Sequence, residues 1–171
     1  MNLSRLASRQ ATVPSVLTAI IVLAAGFAVW EWLAARALHT GNVAVADTAA
    51  TTEVTGQVGA AVKRIFSYDY GNLDRTERAA SSALVDAAVS QYQAGFAAAK
   101  DQVTSRKLVR TTTIGSIGVR ELRGDSARLL LFLDQQTVDT TTNQQTSSTA
   151  ALEVNARKID GAWKIANLAA L

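Results

Sequence analysis

The chain has 171 residues, with no Cys, one His, one Pro and a formal net charge of +3 at pH 7. That length suits one modest domain with an appendage, and the missing cysteines exclude disulfides and thiolate metal sites. The excess positive charge is not a nucleic-acid footprint. Once Arg5, Arg9, Arg36 and Glu31 of the N-terminal region are set aside, basic and acidic residues nearly balance and are interleaved, with no basic stripe.

From Gln10 to Trp30 no side chain is charged. Val13 to Leu33 meets the length of roughly 20 predominantly apolar residues that a membrane-spanning helix needs. Pro14 sits near its start, where a missing backbone donor costs little, and Trp30 and Trp32 mark its far edge as interfacial aromatics. Arg5 and Arg9 precede the span, so the positive-inside rule places the N-terminus in the cytoplasm and the rest of the chain outside. The run is longer than the apolar core of about 7–15 residues in a cleavable signal peptide. It therefore reads as a retained anchor, although Ala35 to Ala37 resembles a cleavage site. The expected organisation is a cytoplasmic stub at 1–12, a transmembrane helix at 13–35, a linker at 36–46 and an exported domain at 47–171. Ala24 and Ala28 form a small-xxx-small pair, and with Trp30 and Trp32 they are the candidate contacts to a partner helix in the bilayer.

Val54, Val58, Ala61, Val62, Ile65 and Phe66 repeat at helical spacing, which predicts a helix through residues 47–66. "SYDYGN" breaks the pattern, with Gly71-Asn72 as a turn. Asp74 followed by Glu77 resembles a capping box at the next helix start. Val85, Val89, Tyr92, Phe96, Ala99 and Val103 form a second stripe, and Ser81-Ser82 divides this region into a short helix and a long one.

After Lys107 the period changes. Thr111 to Leu122, Ala127 to Val138, Ala150 to Ile159 and Ala162 to Leu168 read as strands. Gly124-Asp125 and Asp160-Gly161 supply tight turns, and Trp163 and Ile165 are expected to pack on the helix carrying Tyr92 and Phe96. "TVDTTTNQQTSST" is polar and low in complexity, as a solvated loop or splayed hairpin would be. Leu129, Leu131 and Leu133 alternate with Leu130 and Phe132, which predicts a central strand apolar on both faces.

The fold class that follows is α+β: a transmembrane helix, then a cone-like domain of about three helices and a four-stranded antiparallel curved sheet. Its outline resembles the nuclear transport factor 2-like superfamily. Three blocks carry a more specific likeness: "FSYDYGNLD" (Phe66 to Asp74), "LLLFLDQQT" (Leu129 to Thr137) and "RKIDGAWKIANL" (Arg157 to Leu168). In order and spacing they resemble the Mce-associated membrane proteins of actinobacteria, single-span proteins with an exported cone-like domain. That resemblance implies an accessory role beside Mce-type lipid importers in the cell envelope, with Mce transporter subunits as partners. The Thr/Gln-rich stretch after Thr137 and the Ala-rich C-terminus depart from it.

Cone folds include ketosteroid isomerases, which use an Asp base and a Tyr-plus-acid oxyanion hole. The residues to consider here are Tyr68, Asp69, Tyr70, Tyr92 and Asp134. Tyr68 and Tyr70 read as plugs of the cone mouth, with Tyr92 and Asp134 as further mouth or pocket residues. Asp69 and Asp74 suit turn and capping roles, while Asp134 and Asp139 frame the polar loop. Asp160, Gly161 and Trp163 are read as structural. With His39 as the sole histidine, a His-based metal site or catalytic triad has nothing to work with in the domain. Gly115 to Gly118 lacks the Lys-Ser/Thr of a phosphate loop, so these glycines are expected to bend a strand.

No catalytic set, metal site or cofactor is expected, and three readings stay open. The first is a non-enzymatic accessory subunit of a lipid (fatty acid or sterol) import complex. The second is a lipid- or sterol-binding cone. The third is a bitopic assembly factor of a secretion or conjugation channel.

Overall fold

A computed structural model describes residues 42–171. The expected stub and span, with Ala24, Ala28, Trp30 and Trp32, lie outside the described residues, as does His39. Among the described residues no helix is long and apolar enough to cross a membrane.

Three helices precede the main sheet: α1 (Thr48–Phe66), α2 (Leu73–Ala83) and α3 (Ala87–Ser105). Between α1 and α2 lie a two-residue strand, β1 (Tyr68–Asp69), and a 3-10 turn (Tyr70–Asn72). The long strands are β2 (Leu108–Arg123), β3 (Ser126–Asp139), β4 (Gln144–Ile159) and β5 (Ala162–Ala170). They form one antiparallel sheet in the order β1-β2-β3-β4-β5. The sheet therefore has five strands rather than four. The added strand is too short to show a period, and exists because Tyr68 and Asp69 pair with Arg110 and Val109.

The core lies between the helices and one sheet face. α1 is capped by Asp47, whose Oδ1 accepts from the Ala50 N–H at 2.9 Å, and Lys63 and Arg64 complement its C-terminal dipole. Its predicted stripe (Val54, Val58, Ala61, Val62 and Ile65) is buried. From the sheet side Leu129, Leu131, Leu133, Val154, Trp163 and Ile165 join the same cluster.

Several expectations are corrected. The cap of α2 is Asn72, which accepts from the Arg75 N–H; Asp74 lies inside the first turn. The break between α2 and α3 falls at Leu84–Asp86 rather than at Ser81-Ser82. Leu84 bridges to Ile165, and the Val85 N–H donates to the Ile165 carbonyl at 2.9 Å. Ser81 and Ser82 remain helical, with their hydroxyls donating to the carbonyls of Arg78 and Ala79.

β3 is apolar on two faces in sequence but covered on one. Leu129, Leu131 and Leu133 are buried, whereas Phe132 is 50% exposed on the other face. The helices occupy a single side, so Phe132 has no layer to meet. The polar "TVDTTTNQQTSST" stretch is not a loop: β3 and β4 pair in unbroken register to Asp139↔Gln144, leaving only Thr140 to Asn143 as the turn. Threonine and serine accept strand geometry readily once a neighbouring ladder is supplied.

The folded unit begins at Asn42, ahead of the boundary expected at 47. Asn42 Nδ2 donates to the Arg120 carbonyl at 3.0 Å, and its Oδ1 accepts from the Leu122 N–H at 2.9 Å. The Val43 N–H adds a bond to the Leu122 carbonyl at 2.8 Å. This segment covers one end of the β2 edge. Gly115 sits at a register shift between Ile114 and Ser116, and a Cβ there would lie 2.8 Å from Asp134 Oδ2. Gly118 instead pairs in regular register with Leu130.

Asp160 and Gly161 both have positive φ, 51° and 76°, and join Ile159 to Ala162 by a two-residue turn. Trp163 is 5% exposed in the cluster against which Tyr92 packs, and its backbone N–H donates to Gln57 Oε1 of α1 at 2.8 Å. Further along, β5 is hydrogen-bonded to α3. Gln91 accepts from the Leu168 N–H at 2.9 Å and donates to Asn167 Oδ1 at 2.7 Å.

Candidate functional site

α3 stands off from the sheet along part of its length, leaving a cavity of about 320 Å³. Phe66, Tyr68, Tyr92, Phe96, Leu168 and Arg110 are among its walls. Tyr92 and Phe96 are one helical turn apart, and their rings stack with centroids 5.4 Å apart. The same two side chains also line a groove of about 520 Å³ between α2 and α3, so the stacked pair divides the two spaces.

The Tyr92 hydroxyl is buried without a hydrogen-bond partner. Burial, reinforced by the nearby Glu77 carboxylate, pushes its pKa up to about 12. Glu77 itself is engaged by Lys100 Nζ at 2.8 Å. Arg110 lies 5.0 Å above the Tyr68 ring and donates from Nε to Thr137 Oγ1 at 2.9 Å. Arg110 is the charged residue of this cavity, and no carboxylate lines it.

The four expected mouth residues do not assemble. Tyr68 and Tyr92 share the cavity, whereas Tyr70 stands 36% exposed outside it. Asp134 lies in an exposed groove with Thr111, Thr113 and Gln136. Asp134 and Tyr92 therefore line different spaces. Asp69 keeps its expected turn role, accepting from the Gly71 N–H at 2.9 Å. Among the described residues no group of three or more His, Cys, Asp or Glu is placed to hold a metal.

Asp139 does not frame a solvated loop. It is 5% exposed and accepts from Arg106 Nη2 at 2.8 Å and from Nε at 3.0 Å. Its other oxygen accepts from the hydroxyl and N–H of Thr141 and from the Thr142 N–H. The Thr141 hydroxyl foremost, with Arg106 and the backbone donors, lowers its pKa to about 2 against the opposing effect of burial.

The sequence pattern starts this strand at Thr111, so Arg110 falls outside it, whereas the strand begins at Leu108. An arginine at a strand entry carries no signal of the aromatic ring it will lie over.

A three-helix layer on one face of a curled antiparallel sheet is shared with several solved structures. A periplasmic fragment of TraM has 13% identity, with 70% of this chain and 96% of that chain covered, and a TM-score of 0.61. An IcmL-like type IV secretion system protein from Legionella pneumophila has 9% identity, coverage of 73% and 93%, and a TM-score of 0.61. A nuclear transport factor 2-like superfamily protein from Salmonella enterica has 13% identity, coverage of 71% and 92%, and a TM-score of 0.51. The fold is nuclear transport factor 2-like. No protein-family model and no curated protein matches the chain.

None of these three similar structures is described as an Mce-associated protein. The three blocks behind that resemblance occupy fold-making positions: the α1–β1–α2 junction, β3, and the β4–β5 hairpin. Their buried residues and turns also serve the nuclear transport factor 2-like architecture.

Proposed function

We propose that the chain is a non-enzymatic, single-span assembly subunit of an envelope complex, its domain exported and its N-terminus cytoplasmic. A secretion or conjugation channel is the favoured setting. The observation that carries this reading is the fold, which it has in common with a periplasmic TraM fragment and an IcmL-like type IV secretion protein. The 320 Å³ cavity adds support: Tyr68, Tyr92 and Phe96 line it, no carboxylate does, and Glu77, the acid near Tyr92, lines the adjoining groove and is paired with Lys100. General acid–base chemistry requires such a partner within hydrogen-bond reach.

An accessory place beside an Mce-type lipid importer is the finer alternative, supported by the three sequence blocks. Purification of the full chain from its own membranes in mild detergent separates the two. Co-recovery of channel subunits supports the assembly role, and co-recovery of Mce subunits transfers that role to the importer. Recovery alone, with a bound lipid, overturns both and favours a carrier. The uncommitted Tyr92 hydroxyl and Arg110, which has no carboxylate partner among the described residues, are the groups that would hold a lipid headgroup.

A further inference from the structure

The edges of this sheet are treated unequally. On β2, Asn42 and Val43 cover one end, β1 pairs at the other, and the Thr112 N–H donates to the Ser67 hydroxyl. On β5, Leu84, Val85 and Gln91 take up backbone positions. Both strands also carry register shifts. Bulges and covering segments are the usual protections of an edge.

β4 differs. Its pairing with β5 ends at Leu152↔Ala170, and the Leu171 N–H donates to the Ala151 carbonyl at 3.0 Å. From Gln144 to Ala150 the side away from β3 has no backbone partner among the described residues. Because Ala151 directs its carbonyl to that side, alternation along the strand directs the backbone groups of Gln145, Ser147 and Thr149 there too. Gln144 through Thr149 are exposed, and the ladder beneath them has no register shift. A straight, unprotected edge of this kind is a template for another strand.

We propose that Gln144–Ala150 pairs antiparallel with the same segment of a second copy, making one continuous sheet across a two-fold axis near Ser147. Self-pairing is favoured by composition. No charged side chain lies between Asp139 and Glu153, so two copies meet without like charges opposed. The segment also lacks the large apolar or charged groups by which an unlike partner is selected. Centred on Ser147, the pairing sets Gln145 against the partner's Thr149, where amide and hydroxyl can hydrogen-bond. The free length is bounded by the turn at one end and by the Leu171 bond at the other, and antiparallel copies bring each turn towards the other's Leu171. Leu171, 74% exposed, would be covered there. An isologous contact of this kind closes at two copies. The inference rests on the β4 edge and not on the assembly role proposed above.

The chain has no cysteine, so an introduced one reports alone. In the full chain in mild detergent, Ser147→Cys should give a cross-linked dimer with a short thiol-specific linker. Ser126→Cys, exposed at the opposite end of the sheet, should not. Joining Gln145→Lys and Thr149→Lys to Ser147→Cys opposes like charges across the axis and should abolish the dimer. Mixing that chain with one carrying Gln145→Glu, Thr149→Glu and Ser147→Cys should restore it as a mixed dimer. These positions are exposed, so unchanged melting is expected and is measured alongside. Equal cross-linking of Ser147→Cys and Ser126→Cys overturns the proposal. So does a dimer that ignores the charge swap, or cross-linking of Ser147→Cys only to an unlike protein.

Discussion

Arg106 grips Asp139 through two nitrogens, at 2.8 and 3.0 Å, and so ties the end of α3 to the end of β3. Asp139 in turn organises the β3–β4 turn through Thr141 and Thr142. Its pKa is lowered from 3.8 to about 2, so its ionised form is favoured in the folded state. The stability it adds is complete above the unfolded value and is lost as pH falls through the folded one. Asp139→Asn should therefore lower the melting temperature at neutral pH, and the difference from wild type should shrink between pH 4 and pH 2. A constant difference across that window would show that shape, not charge, holds the turn.

Trp163 is 5% exposed in the main core. Truncation of a buried tryptophan to Ala costs about 3–5 kcal/mol, a large share of the roughly 5–15 kcal/mol that holds a typical domain. Trp163→Ala should leave the domain marginal in chemical denaturation. Trp163→Phe should cost much less, because the indole Nε1 has no partner to lose. Equal losses for the two would assign a bond to that nitrogen.

Gly161 has φ of +76°, and no side chain crowds the site. A left-handed conformation costs an L-residue about 1–2 kcal/mol, and more when it is β-branched. Gly161→Val should thus destabilise more than Gly161→Ala in equilibrium unfolding. A larger effect from Ala would point to packing rather than backbone strain.

The Tyr92 hydroxyl is buried and unpartnered. Leaving such a group unsatisfied costs about 1–3 kcal/mol, so Tyr92→Phe should be neutral or stabilising by up to that amount. The raised pKa adds a second readout. Stability is complete below the unfolded value of 10 and falls as pH rises towards 12, and Tyr92→Phe should remove this dependence. A clear loss of stability in Tyr92→Phe at neutral pH would mean that the hydroxyl is bonded.

Asn42 makes three hydrogen bonds: to the Arg120 carbonyl, from the Leu122 N–H and from the Ala44 N–H. At a net of roughly 1 kcal/mol per bond, reduced by exposure, Asn42→Ala should cost about 1–2 kcal/mol. A domain beginning at 47 should melt below one beginning at 42. Identical melting of the two would return 42–46 to the linker.

Periodic and turn-bound features were legible in the residues alone. The 3.6-residue stripe of α1, the alternation of Leu129, Leu131 and Leu133, and the Asp160-Gly161 turn each arise from neighbours along the chain. Local geometry fixes which side they face, and the α+β order follows from them. What required the folded chain was every contact made between distant segments. Asn42 became part of the domain because Arg120 and Leu122 offered an unpaired strand edge. Tyr68 and Asp69 became a strand because Val109 and Arg110 lay opposite. Phe132 faced outward because the helices cover one side of the sheet. Tyr92 met Tyr68 and Arg110, while Tyr70 and Asp134 went elsewhere, for the same reason. Side-chain direction is local, but what a side chain meets depends on how the sheet curls and where α3 stands off from it.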